Sequence, residues 1–141
     1  MTWTKKTEPT ARGGRVAVIG ALALASVTLA AVPAYAKGGV DITAPRTAHV
    51  GKTFTVTAQG NDDAASYLRI CLEGRNGGQA WQPVTCGAVV PTGTDAQAAA
   101  HVKAVHRGVL QYRAVLYGLT SPNDGHPVRE RASDLATVDV R

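Results

Sequence analysis

Aromatic side chains are scarce in this chain, at 5% of 141 residues, with a single Phe and a single Met. So thin a supply argues against a broad platform for stacking sugars. Cysteine is scarcer still, with two residues fifteen apart and no histidine nearby, which gives a thiolate metal site little support. Beyond the N-terminal segment the only glutamates are Glu73 and Glu130, and no spacing pairs them as an acid–base dyad. None of the four histidines, His49, His101, His106 and His126, begins an HExxH pattern. His101 and His106 lie five apart and would face opposite sides of a strand. There is no GxSxG elbow and no glycine-rich phosphate loop, since Gly77-Gly78 reads as a turn. No N-x-S/T acceptor occurs either. These absences predict a chain that is not an enzyme and needs no cofactor.

What is present begins with an address. Lys5, Lys6, Arg12 and Arg15 form a positive opening, Val16 to Val32 is uncharged and mostly apolar, and Ala34-Tyr35-Ala36 follows Pro33. That order predicts a secretory signal peptide over residues 1–36, and therefore a secreted, extracellular protein. The uncharged run is at the short limit for spanning a bilayer. With no cysteine to lipidate and no paired arginines, it predicts ordinary export and no membrane contact after cleavage.

The remainder, residues 37–141, is long enough for one domain with a modest core. The whole-chain charge of +5 misleads, because the leader carries four basic residues and one acidic. Eleven basic and nine acidic residues remain, with no dense basic cluster, so no nucleic-acid partner is expected. Two cysteines in an exported chain are expected to pair.

The stretch from Ser66 to Val90 organises the rest. Leu68, Ile70 and Leu72 alternate with Tyr67, Arg69 and Cys71, the period of a half-buried strand. A register placing Cys71 opposite Cys86 centres the turn on Gly78-Gln79, a two-residue loop of type II′ with glycine first. Val40–Thr43, broken by Pro45, suits an edge strand. Thr53–Gln59 puts Phe54, Val56 and Ala58 on one face. Gly60 to Asp63 and Arg46 to Lys52 read as connections. Ala98–His106 alternates Ala100, Val102 and Ala104 with polar neighbours. Val109–Leu119, apolar on both faces, suits a central strand. Thr120 to Arg131 reads as turn and polar loop, and the last strand presents Ala136, Val138 and Val140.

About seven short antiparallel strands in some 105 residues, with turn signals every 8–12 residues, resemble an immunoglobulin-like β-sandwich. Gly108 followed by Tyr112, and the closing ATVDV, are the local matches. The resemblance casts Tyr112 in the tyrosine-corner role. It departs in one respect, since both cysteines fall in one hairpin rather than bridging the sheets. This points to the immunoglobulin-like modules of secreted bacterial proteins. The Cys71–Cys86 spacing also resembles one disulfide of the bacterial subtilisin-inhibitor family, whose second disulfide and reactive loop are missing here. The enediyne-carrier apoproteins, likewise small sandwiches, carry two disulfides, and no residues are carried over from either family.

Two surfaces follow from this arrangement. One end of such a sandwich gathers Asn61, Asp62, Asp63, Asp95, Asn123 and Asp124. Asp62, Asp63 and Asp124 are candidate Ca²⁺ ligands, although Asn, Asp and Gly are also ordinary turn residues. No single loop holds a full ligand set. The other surface is the outward face of the third and sixth strands, where Tyr67, Arg69, Arg113 and Tyr117 would form one patch beside Gln111 and Val115. Tyr and Arg are enriched at binding hot spots, although Tyr also simply favours strands. The functional expectation is a non-catalytic binding module for a protein or glycan partner. The alternatives are an inhibitor of an extracellular hydrolase and, third, a small extracellular hydrolase.

Overall fold

The computed structural model describes residues 38–141. The signal peptide expected over residues 1–36 lies outside the described residues. Among the described residues there is no helix, and the chain runs through ten strands. They are β1 (Gly39–Thr43), β2 (Thr47–Ala48), β3 (Thr53–Asn61), β4 (Tyr67–Asn76), β5 (Gln82–Cys86), β6 (Val90–Pro91), β7 (Ala96–Lys103), β8 (Gly108–Leu119), β9 (Val128–Ala132) and β10 (Ala136–Val140).

The smaller sheet has the order β1-β3-β7, and the larger runs β2-β10-β8-β4-β5. β6 continues the flank of β4 where β5 stops short, pairing with Tyr67 and Leu68. β9 in the same way lies along Val115 to Gly118 of β8, and β10 along Gly108 to Tyr112. Neither sheet closes on itself.

The two sheets face each other across one core. Phe54, Val56 and Ala58 of β3 and Ala96, Ala98 and Ala100 of β7 meet Leu68, Ile70 and Leu72 of β4, Tyr112, Ala114 and Leu116 of β8, and Val138 and Val140 of β10. These are the period-2 positions, since alternation along each strand sends every second side chain inward. The alanines of β7 leave room for the leucines opposite, so large and small residues interdigitate. Tyr112, 5% exposed, meets Phe54 edge to face with ring centres 6.1 Å apart. Burial pushes its phenol pKa above the ordinary value.

Several expectations need correction. The strands number ten rather than about seven, and not all are antiparallel, because β2 runs parallel to β10. The connection from Arg46 to Lys52 contains β2, and Gly60 and Asn61 extend β3. The polar stretch before Arg131 contains β9, whose VRERA sequence shows no apolar alternation because most of the strand is exposed. The hairpin turn lies one residue earlier than expected. Gln79 N–H donates to Asn76 O at 3.0 Å, and Gly77 has φ +52. A positive φ at the first central residue is what a type II′ turn asks of its glycine. Cys71 does face Cys86, but the register slips after Leu72, which pairs with Thr85 while Glu73 pairs with Pro83. Pro83 has no N–H for the ladder, and Val84 is left as the extra residue on an edge strand, where such bulges concentrate.

Candidate functional site

The outward positions of β4 and β8 come from the same alternation that builds the core. On β4 they are Tyr67, Arg69, Cys71, Glu73 and Arg75. On β8 they are Gln111, Arg113, Val115, Tyr117 and Leu119. The register sets them in rows: Tyr67 opposite Leu119, Arg69 opposite Tyr117, Cys71 opposite Val115, Glu73 opposite Arg113, Arg75 opposite Gln111. β9 adds Arg129 opposite Tyr117, so one row reads Arg69, Tyr117, Arg129 across three strands.

The face is divided by an apolar floor. Val115 is fully buried and Cys71 nearly so, yet neither belongs to the core between the sheets. The disulfide Cys71–Cys86 lies in this floor. The expectation that Val115 would be an exposed outward residue is therefore corrected.

Below the floor stands a preassembled wall. Arg113 Nε donates to Glu73 Oε1 at 2.6 Å, and Arg75 Nε donates to Gln111 Oε1 at 2.8 Å. Both guanidinium groups lie over the ring of Trp81, at 4.3 Å for Arg113 and 4.4 Å for Arg75. An aromatic ring attracts a cation through its quadrupole, so the ring pins two arginines from different strands. Trp81 comes from the β4–β5 turn and was missed in the sequence. The signal available was a Trp three residues past the Asn-Gly-Gly turn, beside strands with outward arginines.

Above the floor the groups are less engaged. Arg69 Nε is buried and meets no hydrogen-bond partner in the structure. Arg129, on exposed β9, forms no ion pair among the described residues. The four-residue patch expected from the sequence is thus split. Tyr67, Arg69 and Tyr117 stand together, while Arg113 sits two rows away, committed to Glu73 and Trp81.

The acidic end has a different character. Asn61 Nδ2, at the end of β3, donates to Asp95 Oδ1 at 2.8 Å. Asp62 Oδ2 accepts from Arg131 Nε at 2.5 Å, and Asp62 Oδ1 accepts from Ala64 N–H at 2.9 Å. The Arg131 hydrogen bond holds the Asp62 carboxyl below its usual pKa. Asp124 accepts from the backbone of Thr120 and His126 within its own loop, and these bonds lower its pKa too. Among the described residues no three His, Cys, Asp or Glu side chains come together as a metal site. The candidate Ca²⁺ ligands Asp62, Asp63 and Asp124 are not assembled into one.

No family model matches the chain, and no curated protein matches it. Among solved structures it is similar to a superoxide reductase (neelaredoxin) from Ignicoccus hospitalis, 18% identical, with a TM-score of 0.42 over 72% of this chain and 80% of that one. That similar structure is an enzyme, so the expectation of a non-catalytic binding module finds no counterpart in it and is not retained. At that TM-score the reductase's own activity is not carried over either.

Proposed function

We propose that this chain acts outside the cytoplasm as an immunoglobulin-like sandwich whose larger sheet turns a cationic, aromatic face toward an anionic polymer. The division of strands supports the fold reading. β3 and β7 share one sheet while β4, β8 and β10 share the other, which is similar to the immunoglobulin arrangement. The disulfide and the leader-like N-terminus support the compartment.

One observation carries the functional reading: charge and aromatic rings are segregated. The outer face of the larger sheet holds Arg69, Arg75, Arg113 and Arg129 against Glu73 and, on β10, Asp139. It also holds Tyr67, Tyr117 and Trp81, three of the five aromatic residues among those described. The outer face of the smaller sheet is mostly uncharged, with Thr53, Thr55, Thr57 and Gln59 beside Gln97, Ala99 and His101, and Asp41 and Lys103 toward its ends. A patch with an excess of one sign of charge raises the local concentration of counter-charged ligands. The reading concerns what this face engages, and it leaves the chemistry that follows engagement open.

The test is retention of the purified, oxidised protein on an immobilised acidic polysaccharide across a salt gradient. Retention should fall as salt screens the face. Replacing Arg69, Arg75, Arg113 and Arg129 together with Gln should abolish it, while Arg46→Gln with Lys52→Gln should leave it unchanged. Equal retention of the four-arginine variant and the natural protein would overturn the reading.

A further inference from the structure

Apart from the arginine face, we infer that the cavity where β7 passes into β8 is a binding site for a small aromatic acid with a hydroxyl opposite its carboxylate. The carboxylate meets Lys103 and Arg107 at the rim, and the hydroxyl meets Tyr112 at the floor.

The cavity has a volume of about 750 Å³, within the range that holds one small ligand. Its walls come from both sheets, with Val102 on β7 and Leu110 and Tyr112 on β8. Burial rises from one end to the other. Lys103, His106 and Arg107 are exposed, Val102 and Leu110 are half-buried, and Tyr112 is 5% exposed. This gradient defines a rim and a floor. The floor is held in place, since Phe54 pairs with Val102 across the smaller sheet and packs edge to face on Tyr112.

The Tyr112 hydroxyl is the observation that asks for a ligand. It makes no hydrogen bond among the described residues, although the resemblance cast it as a tyrosine corner bonded back to the chain. The one side-chain polar atom enclosed without a partner there is Arg69 Nε. The Tyr112 hydroxyl is therefore not enclosed, and it opens onto the cavity that Tyr112 lines. Buried polar groups nearly always find a partner, and this one is left to be met from the cavity.

The rim supplies the second requirement. Lys103 and Arg107 form no ion pair among the described residues, and no Asp or Glu lines the cavity. Asp139, opposite Val109 in the ladder, is engaged by Arg141. Val105 and Val109, large apolar side chains 62% and 45% exposed, stand at the same opening. The site thus offers cations outside, an apolar middle and a phenol inside. Gly108 and Tyr112 lie about 13 Å apart along β8, which leaves room for a ring and its carboxylate. A fatty acid would end its methyl against the Tyr112 hydroxyl and leave that group unsatisfied. A phosphate would use the rim alone.

Calorimetric titration of the purified, oxidised protein with 4-hydroxycinnamate, cinnamate and 4-hydroxycinnamide tests the site. Removing the ligand's hydroxyl should weaken binding about fivefold, and neutralising its carboxylate about tenfold. Tyr112→Phe should bind 4-hydroxycinnamate no better than cinnamate. Its melting temperature should not fall, because the hydroxyl has no partner in the fold. Lys103→Gln with Arg107→Gln, both at exposed positions, should lose about tenfold for the two acids and nothing for the amide. The ring-carbon resonances of Tyr112 should move on saturation with 4-hydroxycinnamate. Equal affinity for all three compounds, or no binding at millimolar concentration, would overturn the inference. So would inorganic phosphate binding as tightly as the acids, which would make the rim a plain anion site. Loss of 4-hydroxycinnamate binding in the four-arginine variant would move the ligand to the outer face and also defeat it. Retained binding there, whatever the polymer does, keeps the two readings apart and supports the cavity.

Discussion

Asp62, at the far end of β3, is tied to Arg131 on β9 by a 2.5 Å ion pair, with the carboxylate almost wholly buried and the guanidinium nearly half exposed. The smaller sheet is thereby fastened to the larger at the acidic end. Gly38 packs under the same guanidinium, since a side chain there would meet its Nη2 at 2.6 Å.

This pair predicts acid sensitivity. The folded pKa of Asp62 lies below its unfolded value. Its stabilisation is therefore complete above about pH 4 and is lost as pH falls through the lower folded value. Asp62→Asn should cost about 1 kcal/mol at neutral pH, because the partner is partly screened by water, and should flatten the acid limb. Urea midpoints between pH 7 and pH 2 measure this. Parallel curves for variant and natural protein would refute it.

The disulfide should matter to stability without defining the fold. Cys71→Ala with Cys86→Ala is expected to cost about 2–4 kcal/mol, the range for a short closed loop. Far-ultraviolet dichroism should stay that of a β protein while the denaturant midpoint falls. An unchanged midpoint would contradict the expectation, as would two titratable thiols in the folded natural protein.

Trp81 offers an optical handle, being the sole tryptophan among the described residues. Arg75→Gln with Arg113→Gln should free the ring and raise its quenching by acrylamide. The loss in stability should be about 1–2 kcal/mol, since each cation–π contact on a partly exposed ring is worth about 0.5–1 kcal/mol. If quenching is the same in both proteins, the stack does not persist in solution.

Two glycines should tolerate replacement very differently. A Cβ on Gly87 would stand 1.6 Å from the carbonyl oxygen of Gln97, backbone against backbone. Gly87→Ala should cost more than about 4 kcal/mol, or prevent folding, as severe overpacking does. Gly78→Ala meets nothing within 4 Å and should be nearly neutral. Thermal melts of the pair decide the matter, and equal melting temperatures would refute the contact.

The strands whose inward residues are Leu, Ile, Val or Phe are legible in the sequence, because alternation with polar neighbours marks both the strand and its face. Leu68, Ile70 and Leu72, with Phe54 and Val56, are such positions. The cysteine pairing was legible because two cysteines of an exported chain fall on facing strands of one hairpin, but the turn derived from it was one residue off, since the extra residue at Val84 shifts the register. β9 was not, since VRERA lies on an exposed flank and buries too little to leave a pattern. β2 is two residues long and owes its place to a partner some ninety residues away, which no local signal encodes. The working face was half legible. Tyr67, Arg69 and Tyr117 followed from period alone. That Arg113 belongs to a separate cluster depended on Trp81 folding back from the turn, a long-range contact invisible to periodicity.

The parallel pairing of β2 with β10 has a consequence in time. Arg141 N–H donates to Ala48 O at 2.8 Å, and Val50 N–H donates to Arg141 O at 3.0 Å. As the polypeptide emerges end first, residues near position 48 wait for residue 141 before their last partners exist. The β4–β5 hairpin and its cysteines can form early, but this seam is the final stitch. Contacts so distant in sequence slow folding. Until they form, the edge of the larger sheet stays open to other chains, so the interval before closure is when aggregation threatens most.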